Sequence, residues 1–230
     1  MTYADDFTIR SMEDLTDTIE LLGFVPFFAN DIRGFSIEEH VTGDCWYGGS
    51  TEGFWPVWEW KGPIIQQKRC AYGKFYKGKA MYISMEWFLD FANYRRDGYD
   101  FDARYEDGLA RRDDKVLYEL IEANEPILSK PLKKLGDYRK GGKKGFDSSV
   151  TRLQKLAYVV ISDFRYLTDK NGNEYGWGVA EYATPEKLYG KEFTDNVYRR
   201  TPEESYERIM EHFQKILPGV DEKAIEKIIT

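Results

Sequence analysis

The chain has few of the features that mark secreted or membrane-spanning proteins. Its 230 residues include two cysteines, Cys45 and Cys70, which are too few and too far apart to suggest a disulfide framework or a zinc site. No apolar run approaches the eighteen or more residues that a membrane-spanning helix needs. The N-terminal residues lack the basic and apolar stretches of a signal peptide. We therefore expect a cytoplasmic protein with free thiols and no membrane association.

Residue types that hold metals are also scarce or poorly spaced. The two histidines, His40 and His212, have no nucleophile near them in sequence. Asp97, Asp100 and Asp102 are closely spaced, but the segment lacks the ligand spacing and terminal Glu of an EF-hand. An Arg-Asp ion-pair loop is the simpler interpretation. The sequence predicts no metal site and no cofactor.

Apolar residues are plentiful enough to build a core, at 42% of the chain with 16% aromatic. Helical spacing of Leu15 and Ile19 predicts a first helix over 12–22. Alternation broken at Lys77-Gly78 predicts a hairpin with strands near 69–76 and 79–84. A helix rich in aromatic residues is expected after it, beginning at Met85. The N-terminal half is therefore expected to mix helices and strands.

Tryptophan is concentrated in one stretch, with four residues within fifteen positions from 46 to 60. Such aromatics most often fill the core of a domain with little regular structure. They could instead line a pocket for a flat ligand by stacking, and two arginines further on could contact phosphate. The candidate pocket residues are Trp55, Trp58, Trp60, Arg95 and Arg96.

The order of elements from residue 113 to 190 predicts a winged helix-turn-helix unit. A helix capped by Asp113 or Asp114 is followed by a short helix after Ser129, a Gly-Lys loop, and a third helix from about 147. A hairpin then closes at Asn171-Gly172, a pair typical of a type I′ turn. In a helix-turn-helix unit the third helix enters the major groove of DNA.

Charge is distributed unevenly around this unit. The chain has a net charge of -7, yet residues 130–155 contain nine basic and two acidic residues, a local net of +7. One basic face could bind a polyanion while the rest of the surface repels it, although a solvated Lys-rich loop with no partner explains the same pattern. The hairpin is acidic to neutral, which disfavours a strong DNA contact there. The candidate nucleic-acid-binding residues are Lys133, Lys134, Arg139, Lys140, Lys143, Lys144, Ser149, Thr151, Arg152, Gln154 and Lys155.

These patterns together predict a mainly helical α+β protein in three parts. Residues 1–112 form an N-terminal, aromatic-rich α+β domain, and residues 113–190 form the winged-helix domain. Residues 191–230 form a C-terminal helical extension, in which Thr201 and Glu204 make a capping box with Pro202 at the first helical position. Double-stranded DNA is the expected partner, and the oligomeric state is left open.

Four runs of the sequence look familiar: "VLYELIEANEPILSKPLKKL", "TRLQKLAYVVISDF", "YGWGVAEYATPEKLYG" and "TPEESYERIMEHF". Together they resemble the AlkZ/YcaQ family of winged-helix DNA glycosylases. The resemblance covers most of the chain, rests on element order more than on an invariant motif, and is closest to the shorter proteins described as AlkZ-related. It implies stacked winged-helix units and removal of alkylated or crosslinked bases from DNA.

The catalytic motif of that family is absent. The resemblance implies Gln-x-Gln or Gln-x-Asp after an early helix, and the corresponding residues 24–28 here are the apolar "FVPFF". Hydrolysis of an N-glycosidic bond needs a positioned water beside a polar or charged group, which these side chains cannot supply. Either the activity is lost or altered, or carboxylates such as Asp31, Glu38 and Glu39 replace the motif.

Three hypotheses remain at this point. In the first, a non-catalytic or altered family member binds DNA through the basic face. In the second, a divergent glycosylase lifts a modified base into the aromatic region. In the third, the winged-helix fold serves partner or ligand binding, since fold alone does not determine function. Burial of the 130–155 face by the N-terminal part of the chain would favour the third hypothesis.

Overall fold

A three-stranded antiparallel sheet organises the N-terminal part of the protein. The structure is a computed structural model that describes residues 7–48 and 56–230, with the backbone alone at positions 174 and 175. The elements of this part are α1 (Met12–Leu22), β1 (Phe24–Pro26), α2 (Ile37–His40), α3 (Gly43–Tyr47), α4 (Pro56–Glu59), α5 (Lys61–Gln66), β2 (Cys70–Tyr76), β3 (Lys79–Ser84) and α6 (Met85–Arg96). The sheet has the order β1-β3-β2.

The predicted helix and hairpin of this part are confirmed. The Ser11 side chain accepts a hydrogen bond from the Asp14 N–H at 3.1 Å and so caps α1. The helix ends at Gly23, whose φ of 75° favours glycine. A side chain there would also collide with Trp87, because an added Cβ would lie 2.5 Å from its Cδ1. Gly23 therefore permits close packing of α6 against the start of β1.

The apolar run after α1 enters the core as an edge strand. Phe24, Val25 and Phe27 are all 0% exposed. Pro26 pairs with Met81 of β3, and β1 is an edge strand of the sheet. Proline has no backbone N–H, which an edge strand tolerates because no further strand pairs on its open side. The segment at which the resemblance implies a catalytic motif is thus part of the core.

A second three-stranded antiparallel sheet follows, in the order β4-β6-β5. The elements around this sheet follow the order helix, helix, strand, helix, helix, strand, strand. They are α7 (Phe101–Glu106), α8 (Arg112–Glu122), β4 (Ile127–Leu128), α9 (Ser129–Leu135), α10 (Phe146–Lys155), β5 (Val160–Thr168) and β6 (Glu174–Ala183). About 52% of the described residues are helical. The predicted α+β class is confirmed.

The turn between β5 and β6 differs from the predicted type I′ turn. That turn needs positive φ at both central residues, and only Gly172 has it, at 86°. The chain instead forms a five-residue loop, in which Asp169 N–H donates to the Asn173 carbonyl at 2.8 Å. The Asp169 carboxylate accepts hydrogen bonds from the Asn171 and Asn173 N–H groups. This side chain shapes the loop by satisfying its backbone donors.

The helices that follow β6 pack in part against α6. They are α11 (Pro185–Tyr189), α12 (Lys191–Thr194), α13 (Pro202–Ile216) and α14 (Glu222–Ile229), with a 3-10 turn at Val197–Arg199. The capping box of Thr201 and Glu204 is confirmed. Asp90 of α6 is buried and accepts hydrogen bonds from Arg200, Ser205 and Arg208 at 3.1–3.3 Å. This group of bonds ties α13 to α6.

Buried apolar residues from all three predicted segments form one continuous cluster. The boundaries at 112 and 190 therefore stay predictions. Within residues 7–48 and 56–230, no helix is both long and apolar enough to cross a membrane.

Candidate nucleic-acid interface and aromatic pocket

A basic loop, defined as residues 137–145, connects α9 to α10 and projects its cations into solvent. Two backbone hydrogen bonds fold the loop back on itself, from Gly142 N–H to the Arg139 carbonyl and from Lys143 N–H to the Asp137 carbonyl. The side chains of Arg139, Lys140, Lys143 and Lys144 are exposed. Lys140, Lys143 and Lys144 make no ion pair within the described part of the chain, and Arg139 pairs at 3.7 Å with the exposed Asp137.

The two predicted lysines of α9 differ in their surroundings. Lys133 Nζ lies 3.4 Å from the Asp147 carboxylate and 4.6 Å from the centroid of the Phe146 ring. It therefore links α9 to the start of α10, and its charge is partly compensated. Lys134 is exposed and makes no ion pair with the described residues. Lys134 is the better placed of the two for an anionic partner.

Two of the α10 residues predicted to face a ligand are buried. Gln154 is 0% exposed, and its amide is held inside the protein. Its Oε1 accepts a hydrogen bond from the Lys74 N–H of β2 at 3.0 Å, and its Nε2 donates to the Val150 carbonyl. Ser149 is 2% exposed. The expectation that these residues could be accessible is wrong, because β2 and α8 pack against α10.

Arg152 is partly exposed, but its guanidinium is already engaged. It forms a bidentate pair with the buried Asp114 carboxylate at 2.6 and 2.8 Å, and it also donates to the Ser149 hydroxyl. Such paired geometry is among the strongest that arginine makes. Thr151 and Lys155 are partly exposed. The helix therefore offers few free groups for reading bases, whereas the loop before it offers several cations.

A separate aromatic pocket of about 590 Å³ lies between the α4–α5 segment and the β5–β6 hairpin. Trp58, Phe164, Tyr166 and Trp177 line it. Trp58 is held from behind by an aromatic cluster, with its ring centroid 5.5 Å from that of Trp46. Trp177 is 62% exposed at the rim. Aromatic side chains from both the α4–α5 segment and the hairpin therefore line the pocket.

Three charged groups line the same pocket. Lys61 Nζ lies 4.9 Å from the centroid of Trp58 and 4.3 Å from that of Phe164. It makes no ion pair with the described residues, and burial lowers its pKa to about 8 despite the nearby Glu59 carboxylate. Glu59 accepts a hydrogen bond from the Tyr166 hydroxyl. Asp163 is 8% exposed and accepts from the Phe164 N–H at 2.8 Å.

Replacement of Lys61 by methionine is expected to change how stability depends on pH. The pKa of Lys61 is lower in the folded protein than in the unfolded chain, so protonation penalises the folded state. That penalty is complete below about pH 8 and disappears as the pH rises towards the ordinary value of 10.5. The free energy of unfolding of K61M, relative to that of the wild type, should therefore be higher at pH 7 than at pH 10. The expected difference is on the order of 1–3 kcal/mol.

Urea unfolding of both proteins at the two pH values measures this difference. K187M, which removes an exposed lysine outside the described cavities, is the control and should show no such pH dependence. An identical stability difference between K61M and wild type at pH 7 and pH 10 would show that the amine is not desolvated.

Of the five residues predicted as one pocket, the four that the structure describes do not come together. Trp58 lines the aromatic pocket, Trp60 is partly buried against the core, and Trp55 lies outside the described residues. Arg96 is 2% exposed and donates to the Ala157 carbonyl at 2.7 Å, which makes it a structural residue. Arg95 lines a different cavity. Tertiary contacts, not proximity in sequence, decide this grouping.

Lys61, Asp163 and Trp177 were missed as pocket residues. The one sequence signal was the position of Trp177 between two glycines of the hairpin. The carboxylates considered as catalytic substitutes have structural contacts instead. Glu38 accepts from the Ala29 N–H, Glu39 from Gly34 and Ser36, and Asp31 pairs with Lys77.

Comparison with known families agrees with the resemblance seen in the sequence. A family model described as "AlkZ related" matches residues 9–230, nearly the whole chain. The chain belongs to the AlkZ-related family. No curated protein and no solved structure matches it.

This AlkZ-related protein shows no metal-binding cluster in its described residues, where no three His, Cys, Asp or Glu side chains are grouped suitably for an ion. Cys70 is buried, and burial raises the pKa of its thiol to about 12, so its thiolate is not populated near neutral pH. His212 stacks on Trp87, and its Nε2 lies 2.8 Å from the Leu22 carbonyl. Neither group has the surroundings of a catalytic nucleophile or base.

Proposed function

We propose that this AlkZ-related protein binds double-stranded DNA through the phosphate backbone and does not excise bases. The observation that carries the proposal is the exposed cluster of Lys134, Lys140, Lys143 and Lys144, none of which has a carboxylate partner in the described chain. Unpaired cations on one face release the counterions of DNA on binding. Membership of the family supports DNA as the polyanion.

We further propose that residues 112–183 form a winged helix. Helix α8, strand β4, helices α9 and α10, and the β5–β6 hairpin follow the chain order of that unit, and β4 pairs beside the hairpin through β6. Fold assignment alone does not give the mode of DNA contact. That mode follows from which side chains are accessible.

Contacts to phosphates fit the accessible groups better than contacts to base edges. Gln154 is buried, and Arg152 is bound to Asp114, so neither side chain is free to read a base. The β5–β6 hairpin presents Asp169 at its tip and is unsuited to a phosphate backbone. Binding with little sequence preference, centred on the basic loop, is the expected outcome.

The absence of catalysis is supported by the position of the segment that corresponds to the family motif. Residues 24–28 form β1 and the turn after it, and Phe24, Val25 and Phe27 are fully buried. A water-activating group cannot be supplied from a buried apolar strand.

Duplex binding measured over a salt series tests the proposal. Four or five phosphate contacts from the basic loop and α9 predict a slope of log K against log salt of about -4, since each contact contributes about 0.9. Duplexes of unrelated sequence should bind with similar affinity. Absence of binding at low salt, or affinity that does not change with salt, would contradict it.

A divergent glycosylase is the second candidate function, and the aromatic pocket is the observation that favours it. The pocket could stack a flat base between Trp58 and Trp177, with the Asp163 carboxylate inside. Incubation with alkylated or crosslinked duplex, followed by alkali, would reveal abasic sites. Strand breaks from wild type that are lost in D163N would support this function, and no breaks above the D163N background are expected if the first proposal is correct.

A further inference from the structure

A small cavity of about 260 Å³ beside α10 contains an excess of positive charge. It lies where the end of α6, the segment before α8, and α10 meet. The charged residues that line it are Arg95, Arg111, Arg152, Lys155 and Asp114. Four cations therefore face one carboxylate.

The single carboxylate does not balance this charge. Asp114 is bound bidentately by Arg152, with N–O distances of 2.6 and 2.8 Å. Arg95, Arg111 and Lys155 make no ion pair with any described residue. The charged residues that line the cavity therefore carry a net charge of about +3.

Arg95 is the least compensated of these cations. Its guanidinium lies 5.1 Å from the centroid of the Phe91 ring, and its one hydrogen bond to the described protein runs from Nη2 to the Phe75 carbonyl, at 2.8 Å. Its Nε is buried with no partner, and burial lowers its pKa to about 10. A protonated arginine removed from water without an anion costs folding energy. A bound anion would offset that cost.

Apolar walls surround the charges. Phe101, Leu109, Leu153 and Leu156 line the cavity together with the cations. Electrostatic attraction is stronger beside such surfaces than in open water. The planar guanidinium also presents N–H donors that match the oxygen spacing of phosphate.

We propose that this cavity binds a phosphoryl group. The group could come from the 5′-phosphorylated end of a nucleic acid or from a free phosphorylated molecule, since both present the same oxygens. The proposal is independent of DNA binding by the basic loop, because none of its residues lies in that loop.

Thermal unfolding of the full chain with inorganic phosphate tests it, against sodium chloride at equal ionic strength. Phosphate should raise the Tm in a saturable way, as any ligand specific to the folded state does. Arg111 is exposed and Lys155 is partly exposed, whereas Arg95 has a buried Nε and bonds the Phe75 carbonyl, so R111Q/K155Q is the variant expected to preserve folding. It should weaken phosphate binding by roughly tenfold or more, the loss expected on removing charged hydrogen-bond partners.

The matched control is K187Q/K223Q, which removes the same charge from exposed positions away from the cavity, and it should keep the wild-type response. No phosphate-specific rise in Tm, or an equal rise in R111Q/K155Q and the control, would overturn the proposal. A duplex with and without a 5′-phosphate then separates the two sources. Preference for the 5′-phosphorylated duplex assigns the cavity to nucleic-acid ends, and equal binding of both assigns it to a free phosphorylated molecule.

Discussion

Replacing Phe213 by alanine is expected to lower the free energy of unfolding by about 3–5 kcal/mol. Phe213 is 0% exposed on α13, near the C-terminus. Its ring centroid lies 4.9 Å from that of Phe24 in β1 and 6.0 Å from that of Phe35. The truncation would remove apolar contacts and leave a cavity between α13 and the first sheet. Urea unfolding followed by circular dichroism measures the loss.

The same experiment tests whether residues 191–230 form a separate unit. If α13 belongs to one cooperative core, F213A should shift a single transition of the whole chain to lower urea. E211A, an exposed substitution two residues earlier on the same helix, should stay within about 0.5 kcal/mol of wild type. A variant that loses α13 early while the remaining structure unfolds at the wild-type midpoint would contradict the cooperative interpretation.

The parts of the fold that were predictable from sequence depend on local signals. Ser11 and Gly23 mark the ends of α1, and Thr201 with Glu204 marks the start of α13, because capping interactions involve residues three or four positions apart. Lys77-Gly78 is a local signal of the same kind, because this pair separates β2 from β3. The turn at Asn171-Gly172 was located correctly but assigned the wrong type, since the Asp169 carboxylate decides its backbone.

The parts that were not predictable depend on contacts between distant residues. Gln154 is buried and accepts a hydrogen bond from the N–H of Lys74, which is 80 positions away in sequence. Trp58 and Trp177 line one pocket although 119 positions separate them. Periodicity places residues on a helix face but does not say which neighbouring element covers that face. The predicted interface therefore contained buried residues, and the predicted pocket combined residues from separate sites.

This burial also bears on the choice between DNA and another partner. Coverage of the 130–155 face by the N-terminal part was the outcome expected to favour partner or ligand binding. The structure covers only part of that face. Gln154 is buried against β2, whereas the basic loop is exposed. The basic loop can contact a polyanion without α10. Its exposure therefore favours contacts to the phosphate backbone of DNA over recognition of bases.

Reversing the charges of Lys143 and Lys144 to glutamate is expected to weaken duplex binding by roughly 10- to 100-fold near 0.1 M salt. Both side chains are exposed and make no ion pair within the described residues. The substitutions should therefore act mainly by removing contacts to DNA phosphates. The loop should keep its shape, because the bond from Lys143 to Asp137 uses the backbone N–H. Fluorescence anisotropy with a labelled duplex over a salt series measures affinity and slope.

The slope is the more specific of the two readouts. Removal of two phosphate contacts should reduce it by about 2, at about 0.9 for each contact. K187E/K223E changes the net charge of the chain by the same amount at exposed positions outside the loop, so it separates a local contact from general repulsion. Equal weakening by both double variants would attribute binding to overall charge, and unchanged affinity in K143E/K144E would exclude the basic loop as the contact surface. A loss confined to K143E/K144E, with the reduced slope, is the result that phosphate binding by the basic loop requires.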